Sequence, residues 1–335
     1  MTLHLHGLGH FHPENEISNK LLEELEIGTD NDWIVERVGI RARRTVLPLD
    51  YIRSTRNADV RAAAEAALYT NAQLGARAAE LAIARAGIDR ARIGMILSGS
   101  SAPRVLCPAE ATFIAKELGL EVPAFDLNSA CTTFLAQLYH LSLMQPERLP
   151  EYVLIVQTET ITTAIDYSDR NTAVLFGDAA AAAVVSTRIP GMARVLHLSA
   201  QSSPAGADKV LITRTGYFVQ DGRAVQMFAI KRTREGYERI VEVRRDDPEA
   251  EGRPLYFVGH QANLRVLEQV CERCGIAPDR HRFNVELYGN TGGASAPSVL
   301  SMDWEKWQAH DDVAVSVVGG GLTWARALVR FGAAP

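Results

Sequence analysis

The stretch Val122-Pro-Ala-Phe-Asp-Leu127, with Asn128-Ser-Ala and then Cys131, predicts a buried strand, a turn of small residues and the start of a helix. The chain on either side continues this alternation of strand and helix, over Ile93–Ser98, Pro108–Gly119 and Val153–Val156. Near-continuous apolar strands that alternate with helices are typical of mostly parallel sheets covered on both faces. The sequence therefore predicts an α/β fold.

The second half of the chain repeats this order, with strands predicted at Leu255–Val258, Phe283–Leu287 and Val313–Val318 and a helix at Leu264–Cys274 that ends at Gly275. Corresponding points are nearly equally spaced: 256 − 95 = 161, 275 − 119 = 156 and 313 − 153 = 160. Solenoid repeats have periods of roughly 20–50 residues, so this period indicates a duplicated domain. We expect two halves, residues 1–186 and 187–335, packed as one unit.

Two segments outside the repeat give local predictions. Residues 58–86 are rich in Ala, Leu, Arg and Glu and predict one helix that ends at Gly87. Asp221-Gly222, flanked by Tyr217–Val219 and Ala224–Phe228, predicts a β-hairpin.

The composition is that of an ordinary globular protein. The chain has 335 residues, 47% of them hydrophobic, and a net charge of −5. This acidic balance disfavours nucleic acid as the main partner. The chain contains no stretch of roughly 20 apolar residues, and residues 1–6 do not resemble a secretory signal. We expect a cytoplasmic protein that does not bind membranes.

Metal binding is the less favoured interpretation of two motifs. Cys271 and Cys274 form a lone CxxC whose surroundings have helical apolar spacing, which favours a helix with one face in the core. His4, His6, His10 and His12 have only Glu14 as a nearby carboxylate. We therefore predict no metal site.

Cys131 is the predicted nucleophile. It lies where a buried strand ends and a helix begins, among small residues that leave access. Unpaired N–H groups and the helix dipole at that position stabilise a thiolate, so the thiol pKa is expected to fall below about 8.5. The alternative is an ordinary core cysteine.

His260 and Asn290 are the predicted partners of Cys131. His260 ends another strand, and Asn290 lies at the point in the repeat that corresponds to the cysteine turn, since 290 − 131 = 159. A pseudo-two-fold axis between the halves would bring these turns together. A thiolate can then attack an acyl group while His and Asn stabilise the oxygen on which negative charge develops.

The sequence resembles the β-ketoacyl-acyl carrier protein synthase III family of the thiolase superfamily. The resemblance rests on six motifs in the order and spacing of that family: Asn31–Arg41 with Trp33 and Arg37, Pro123–Asp126 with Cys131, Asp169-Arg170 before Phe176-Gly-Asp178, His260-Gln-Ala-Asn263, Gly289-Asn290-Thr291 and Gly319–Trp324. It covers nearly the whole chain.

The resemblance implies a duplicated thiolase-like fold of five layers, αβαβα, usually in a homodimer. It implies that a primer acyl group moves from coenzyme A to the cysteine and then condenses with malonyl-acyl carrier protein, with loss of carbon dioxide. Coenzyme A thioesters and acyl carrier protein are thus the implied partners, and no cofactor is needed.

The resemblance also assigns roles to single residues. Cys131 corresponds to the acylated nucleophile, and His260 and Asn290 to the pair that stabilises the malonyl enolate. The binding residues and their implied roles are Trp33 and Arg170 beside the adenine of coenzyme A, Arg37 at a phosphate, Asn263 in the pantetheine tunnel and Arg265 at the docked carrier protein. For Trp33 and the arginines, the alternative is surface packing and solvated charge.

The sequence departs from the family pattern at the nucleophile and at the acyl pocket. Thr132-Thr133 follow the cysteine where Ala-Gly is usual, and residues 53–73 resemble an insertion. Cys107 precedes Pro108 where many relatives carry an aromatic residue that closes the acyl pocket across the dimer interface. We expect an acyl pocket at Cys107 and Phe134 that is deeper than usual, unless Leu106 or Phe134 fills the space.

Three other functions are considered. A ketosynthase or acyltransferase of secondary metabolism would share the three residues, although simple acyl transfer has no enolate to stabilise. A cysteine peptidase also has the order Cys, His, Asn, but this chain lacks a papain-like cysteine motif. A non-catalytic partner subunit would be expected to lose the three residues, which this chain keeps.

Overall fold

The structure, a computed structural model that describes residues 2–332, contains thirteen strands and twelve α-helices in that range. The strands are β1 (Leu3–Phe11), β2 (Asn15–Ser18), β3 (Ala42–Thr45), β4 (Ile93–Gly99), β5 (Ala124–Asp126), β6 (Tyr152–Glu159), β7 (Ala179–Ser186), β8 (Ala193–Ser202), β9 (Val210–Ile212), β10 (Phe218–Gln220), β11 (Leu255–Gly259), β12 (Asp312–Gly319) and β13 (Thr323–Phe331). The helices are α1 (Asn19–Glu24), α2 (Asn31–Val38), α3 (Leu49–Thr55), α4 (Val60–Ala66), α5 (Asn71–Ala86), α6 (Glu110–Leu118), α7 (Thr133–Ser142), α8 (Arg170–Ala173), α9 (Gly222–Arg245), α10 (Leu264–Cys274), α11 (Val285–Tyr288) and α12 (Ser295–Met302).

Nine of the strands form one mixed sheet, in the order β11-β12-β13-β8-β1-β7-β6-β4-β5. β4 runs parallel to both β5 and β6, and β11 runs parallel to β12, whereas the other neighbours are antiparallel. In the middle of the sheet, β1 and β8 pair over only three residues each, from Leu3 opposite Val195 to Leu5 opposite Ala193. The sheet thus has two parts, which meet at this short seam.

Helices form three layers around the two parts of the sheet. α7 contacts β6, β8 and β13, and α12 contacts β1, β7 and β11, so both helices lie between the two parts. α5 and α6 cover the outer face of one part, and α9, with α10 beside it, covers the outer face of the other. The layers are helix, sheet, helix, sheet, helix, which confirms the five-layered αβαβα arrangement predicted from the sequence.

Strand β6 shows why successive residues of a strand can all be apolar. Val153 and Ile155 face the core between the two parts of the sheet, whereas Leu154 and Val156 face α5 and α6. All four side chains are at most 2% exposed. Burying a Val, Leu or Ile side chain contributes roughly 1.5–3 kcal/mol, so a strand that is covered on both faces gains from apolar residues without alternation.

Three local predictions are wrong. Asp221-Gly222 is not a hairpin turn, because the Asp221 carboxylate accepts a hydrogen bond from Ala224 N (3.2 Å) and caps the start of α9. Residues 285–288 form α11 and not a strand, and the adjacent chain pairs with β11 only as a single bridge between Phe257 and His281. Residues 58–86 form two helices, because Thr70 caps a second one by accepting a hydrogen bond from Gln73 N (3.2 Å).

The histidines in and just after β1 take part in packing. His10 hydrogen-bonds Ser301 Oγ (2.8 Å), and the His12 ring stacks on Tyr288 at 3.9 Å between centroids. Between residues 2 and 332, no three His, Cys, Asp or Glu side chains are grouped as metal ligands. No helix in the described part of the chain has the length and apolarity needed to cross a bilayer.

Candidate active site

Cys131 lies in a tight turn at the entrance to α7. Residues 130–132 form one turn of 3-10 helix, and Ala130 has a φ of +47°, a strained conformation for a residue with a side chain. The two threonines that depart from the family pattern hold this turn. Thr132 Oγ1 hydrogen-bonds Thr323 Oγ1 on β13 (3.0 Å), and Thr133 Oγ1 donates to the Ala130 carbonyl (2.7 Å). The cysteine turn is therefore fixed to both halves of the chain.

The pKa expected for the Cys131 thiol is wrong in direction. Burial, and to a smaller extent the nearby Glu159 carboxylate, raise the pKa of Cys131 to about 12. The helix dipole that was expected to lower the pKa is weak at Cys131, because α7 begins only at Thr133 and the cysteine precedes the regular helix. The helix dipole does not compensate for the loss of water around the sulfur.

Asn290 lies in a second buried turn, and its amide is oriented by the backbone. Its Oδ1 accepts a hydrogen bond from Gly292 N (3.0 Å). Its own backbone N donates to Leu175 O (2.8 Å), and its carbonyl accepts from Gly177 N (3.1 Å). No acceptor in residues 2–332 is bonded to the Nδ2 group. The two N–H donors of that group are thus free to bind an oxygen of a ligand.

His260 follows the last residue of β11 and is held as a neutral ring. Its backbone N donates to Ser316 O on the neighbouring strand β12 (3.1 Å). The residue is 7% exposed, and burial lowers the pKa of its imidazole to about 4. Nδ1 is buried and has no hydrogen-bond partner among residues 2–332. At neutral pH this ring carries one N–H donor and no charge.

The structure brings the cysteine turn and the asparagine turn into direct contact. A Cβ placed on Gly293, three residues after Asn290, would lie only 3.0 Å from Ala130 O. A Cβ on Gly319, at the end of β12, would lie 3.0 Å from Cys131 N. Since β12 also bonds the backbone of His260, all three predicted residues lie around the end of one strand. The chemistry that fits is attack by sulfur beside donors for an oxyanion.

Glu159 is a buried acid at this junction that the sequence analysis missed. It is the last residue of β6 and is 0% exposed. Its Oε1 accepts from Gly293 N (2.9 Å), and its Oε2 accepts from Ser101 N (2.9 Å). Burial raises the pKa of its carboxyl to about 7. The available signal was an acid at the end of a strand that begins with the apolar run Val153–Val156.

The residues predicted to bind coenzyme A form one cluster on the surface. The ring of Trp33, on α2, has the guanidinium of Arg37 at 5.3 Å and that of Arg170 at 5.1 Å from its centroid. Arg170 also donates to Gly28 O (2.7 Å). An aromatic ring with two cations is suited to a flat base that carries phosphates.

Asn263 and Arg265 are occupied by local structure. Asn263 Oδ1 accepts from Val266 N (2.8 Å) and caps α10. Arg265 donates to Val35 O (2.8 Å) and Glu36 O (3.1 Å) at the end of α2, and 38% of its side chain is exposed. Arg265 therefore links α10 to the neighbourhood of the Trp33 cluster, whereas Asn263 is bonded within its own helix.

The two predicted acyl-pocket residues lie apart in the single chain. Phe134 is 2% exposed in the core between the two parts of the sheet, whereas Cys107 is exposed on a loop. A cavity of about 740 Å³ beside this loop is lined by Ser101, Leu106 and Arg214, among others, and by neither Cys107 nor Phe134.

Known proteins resemble this chain along its length. Residues 125–204 match the family model described as 3-oxoacyl-[acyl-carrier-protein] synthase III, and residues 255–331 match the model of its C-terminal part. A β-ketoacyl-[acyl-carrier-protein] synthase III from Oceanobacillus iheyensis is 30% identical over 338 residues, which cover 99% of this chain and 100% of the relative.

Two solved structures have a similar fold. The 3-oxoacyl-[acyl-carrier-protein] synthase III from Aquifex aeolicus superimposes with a TM-score of 0.85 at 26% identity, covering 98% of this chain and 100% of the other. The priming β-ketosynthase of the R1128 polyketide biosynthetic pathway has a TM-score of 0.78 at 27% identity, covering 99% and 97%.

Proposed function

Since the chain belongs to the β-ketoacyl-[acyl-carrier-protein] synthase III family, we propose that it condenses a primer acyl group from a coenzyme A thioester with malonyl-acyl carrier protein, and so initiates fatty acid synthesis. One observation carries the proposal for the site. The turn of Cys131 packs directly against the turn that follows Asn290, at the end of the strand that also bonds His260.

The first half-reaction transfers the acyl group to Cys131. The thiol gives up its proton, the sulfur attacks the thioester carbonyl carbon, and the bond from that carbon to the sulfur of coenzyme A breaks. Coenzyme A leaves as a thiol after it takes up a proton. Because burial raises the pKa of Cys131 to about 12, we expect loss of the proton to accompany attack.

The second half-reaction forms the carbon–carbon bond. The malonyl carboxylate leaves as carbon dioxide, and its bonding electrons form an enolate whose oxygen accepts hydrogen bonds from His260 and Asn290. The enolate carbon bonds to the acyl carbonyl carbon, and the bond to the Cys131 sulfur breaks. The β-ketoacyl group stays on the carrier protein, and the departing thiolate takes up a proton to restore the thiol. Burial lowers the pKa of His260 to about 4, so the ring acts as a neutral donor.

Binding of the two substrates is assigned to the surface around α2 and α10. We assign the adenine of coenzyme A to the Trp33 ring beside Arg170, and a phosphate to Arg37. Asn263 lies on the path of the pantetheine arm. Arg265 is assigned to the acidic carrier protein, which must share that guanidinium with the carbonyls at the end of α2.

The primer pocket is proposed to be completed by a second copy of the chain. Cys107 is exposed, and its neighbour Leu106 is 64% exposed, as expected for a loop that covers the site of a partner subunit. Phe134 then forms the inner wall. We divide the chain into duplicated halves at residues 1–186 and 187–335, which separates the cysteine from the histidine and the asparagine.

A second candidate is priming of a polyketide in secondary metabolism. It is favoured by the similarity to the priming β-ketosynthase of the R1128 pathway. The chemistry at Cys131 would be the same, but the primer and the carrier protein would differ. A panel of acyl-coenzyme A primers, each tested with a fatty acid carrier protein and a polyketide carrier protein, separates the two candidates.

The test of the proposed function is the mass of the intact protein after incubation with acyl-coenzyme A. The wild type should gain one acyl group, and Cys131→Ala should gain none. Cys274→Ala is the matched control, because it removes another free thiol, at the end of α10, and should leave acylation unchanged. An acyl adduct on the Cys131→Ala protein would place the nucleophile elsewhere.

A further inference from the structure

The Glu159 carboxylate connects three parts of the active site that are distant in sequence. It is the last residue of β6, it accepts from Ser101 in the turn after β4, and it accepts from Gly293 in the turn after Asn290. Ser101 Oγ adds a third hydrogen bond, to Oε1 (3.1 Å). No salt bridge pairs Glu159 with a lysine, arginine or histidine in residues 2–332. A fully buried acid without a cation is costly to keep unless it has a specific use.

The packing around Glu159 is close enough to transmit its position. A Cβ on Gly292 would lie 2.8 Å from Glu159 Cδ, and a Cβ on Gly293 would lie 3.1 Å from its Oε1. Gly292 in turn donates its backbone N–H to the Asn290 side chain. Glu159 therefore bonds Gly293, which is the residue next to Gly292, and the Gly292 N–H orients the Asn290 amide. On the other side, Ala130 O lies against Gly293.

We propose that Glu159 is the positioning residue of this active site: it holds the Asn290 turn against the Cys131 turn and so sets the geometry of the condensation step. The inference deepens the proposed function and depends on it for the roles of Cys131 and Asn290. A carboxyl group satisfies the contacts, because each of its two oxygens accepts a backbone N–H. A glutamine at this position has one acceptor oxygen and would direct an N–H at another N–H.

The charge of Glu159 gives the proposal a readout that a merely structural role would not change. The carboxylate raises the pKa of the Cys131 thiol, and burial raises its own pKa to about 7. The titratable groups that act on it in the described range are Asp178, just before β7, and Cys131 itself. The effect of Glu159 on the thiol should therefore be present at pH 8 and disappear below about pH 6.

The experiment compares Glu159→Gln with the wild type. Cys131 is alkylated with N-ethylmaleimide and the reaction is measured by peptide mass spectrometry. At pH 8, alkylation should be about threefold faster in Glu159→Gln than in the wild type. Removing the negative charge beside the sulfur increases the fraction of thiolate, and the weaker nucleophile offsets part of that gain. The ratio of rates should approach one below pH 6. Decarboxylation of malonyl-acyl carrier protein should fall at least about tenfold, and acylation should fall less.

The matched control is Glu110→Gln. Glu110 is also a buried acid, 3% exposed, whose pKa burial raises to about 7, but it lies in the first turn of α6. This variant should remain within twofold of the wild type in all three assays. A Glu159→Gln protein that decarboxylates within twofold of the wild type, or whose alkylation at pH 8 is unchanged, overturns the proposal.

Two further variants keep the test decisive if Glu159→Gln does not fold. Glu159→Asp keeps the charge and shortens the reach, so decarboxylation should fall while alkylation at pH 8 stays at the wild-type rate. Ser101→Ala removes only the third hydrogen bond and should lower decarboxylation about threefold, and an unchanged rate contradicts the proposal. If the wild type itself neither takes up an acyl group nor decarboxylates, the proposed function fails, whereas the alkylation assay still tests Glu159.

Discussion

Replacing Gly292 by alanine should destabilise the turn that follows Asn290 by a predictable amount. Gly292 has a φ of +55°, and an added Cβ would lie 2.8 Å from both Glu159 Cδ and Oε1 and 2.9 Å from Ile161 Cδ1. The left-handed backbone costs an alanine about 1–2 kcal/mol. Overpacking of a buried site adds about 1–3 kcal/mol. The free energy of unfolding should therefore fall by about 2–5 kcal/mol.

The same change should also separate the two half-reactions. The Gly292 N–H anchors Asn290 Oδ1 at 3.0 Å, so a shift of the turn rotates the amide that is proposed to bind the enolate. Decarboxylation of malonyl-acyl carrier protein, measured as release of labelled carbon dioxide, should fall at least about tenfold. Acylation of Cys131, followed by intact mass, should fall by much less, because the cysteine turn has its own hydrogen bonds to Thr132 and Thr133.

Gly87→Ala is the control for the cost of placing an alanine in a left-handed backbone conformation. Gly87 ends α5 with a φ of +64°, and an added Cβ there would meet no atom within 4 Å. This variant should lose only about 1–2 kcal/mol. The melting temperature of Gly292→Ala should therefore lie roughly 2–6 °C below that of Gly87→Ala. Equal melting temperatures, or a Gly292→Ala enzyme that decarboxylates at the wild-type rate, would refute the argument from packing.

Three other predictions test the site. In the same assays, Asn290→Ala should retain acylation, but its decarboxylation rate should fall by a factor of about 10²–10³. Equal loss of both half-reactions would mean that Asn290 is structural. Because burial raises the pKa of Cys131 to about 12, its alkylation rate should rise about tenfold per pH unit from pH 7 to 9, and a plateau in that range would contradict the raised pKa. If Cys107 leaves a deep primer pocket, kcat/KM measured over a series of chain lengths should show medium chains at least competitive with acetyl-coenzyme A, and Cys107→Phe should shift the preference to acetyl. An unchanged ratio in that variant would disprove the open pocket.

Elements whose signals are local could be predicted from the sequence. Helix α10 begins after Asn263, whose side chain caps it, and ends at Gly275, whose φ is +65°. Both signals are contained in the residues themselves. Strands β4, β6, β11 and β12 were equally clear, because burial on both faces leaves long apolar runs such as Val153–Val156 in β6. The prediction of a mostly parallel sheet was wrong, because β1, β7, β8 and β13 pair antiparallel with their neighbours.

Elements that depend on distant partners were predicted wrongly. Residues 285–288 are apolar enough for a strand, but Gln261 Oε1 accepts hydrogen bonds from Asn284 N (3.1 Å) and Val285 N (3.3 Å) and holds the chain as a helical turn. The Asp221-Gly222 pair is compatible with both a hairpin and a helix start, and packing of α9 on β12 and β13 favours the helix.

The contact between the Cys131 turn and the Asn290 turn could be predicted from the sequence, but the electrostatics around Cys131 could not. The position of Cys131 after a strand is visible in the sequence, whereas the pKa of its thiol depends on burial and on Glu159, which is 28 residues further along, since 159 − 131 = 28. Desolvation is a property of the assembled layers, and no local pattern around Cys131 reports it.

The contact between the cysteine turn and the asparagine turn has a consequence for the time at which the protein becomes active during synthesis. Asn290 leaves the ribosome 290 − 131 = 159 residues after Cys131. At about 5–20 residues per second, this corresponds to a delay of roughly 8–32 s. Throughout that interval Cys131, the proposed nucleophile, lacks the Asn290 turn that packs against its own turn, and Glu159 lacks the hydrogen bond from Gly293 N–H that it accepts in the finished fold. Contacts of such long sequence separation form slowly, so during refolding we expect condensing activity to return after most of the helical signal has already recovered.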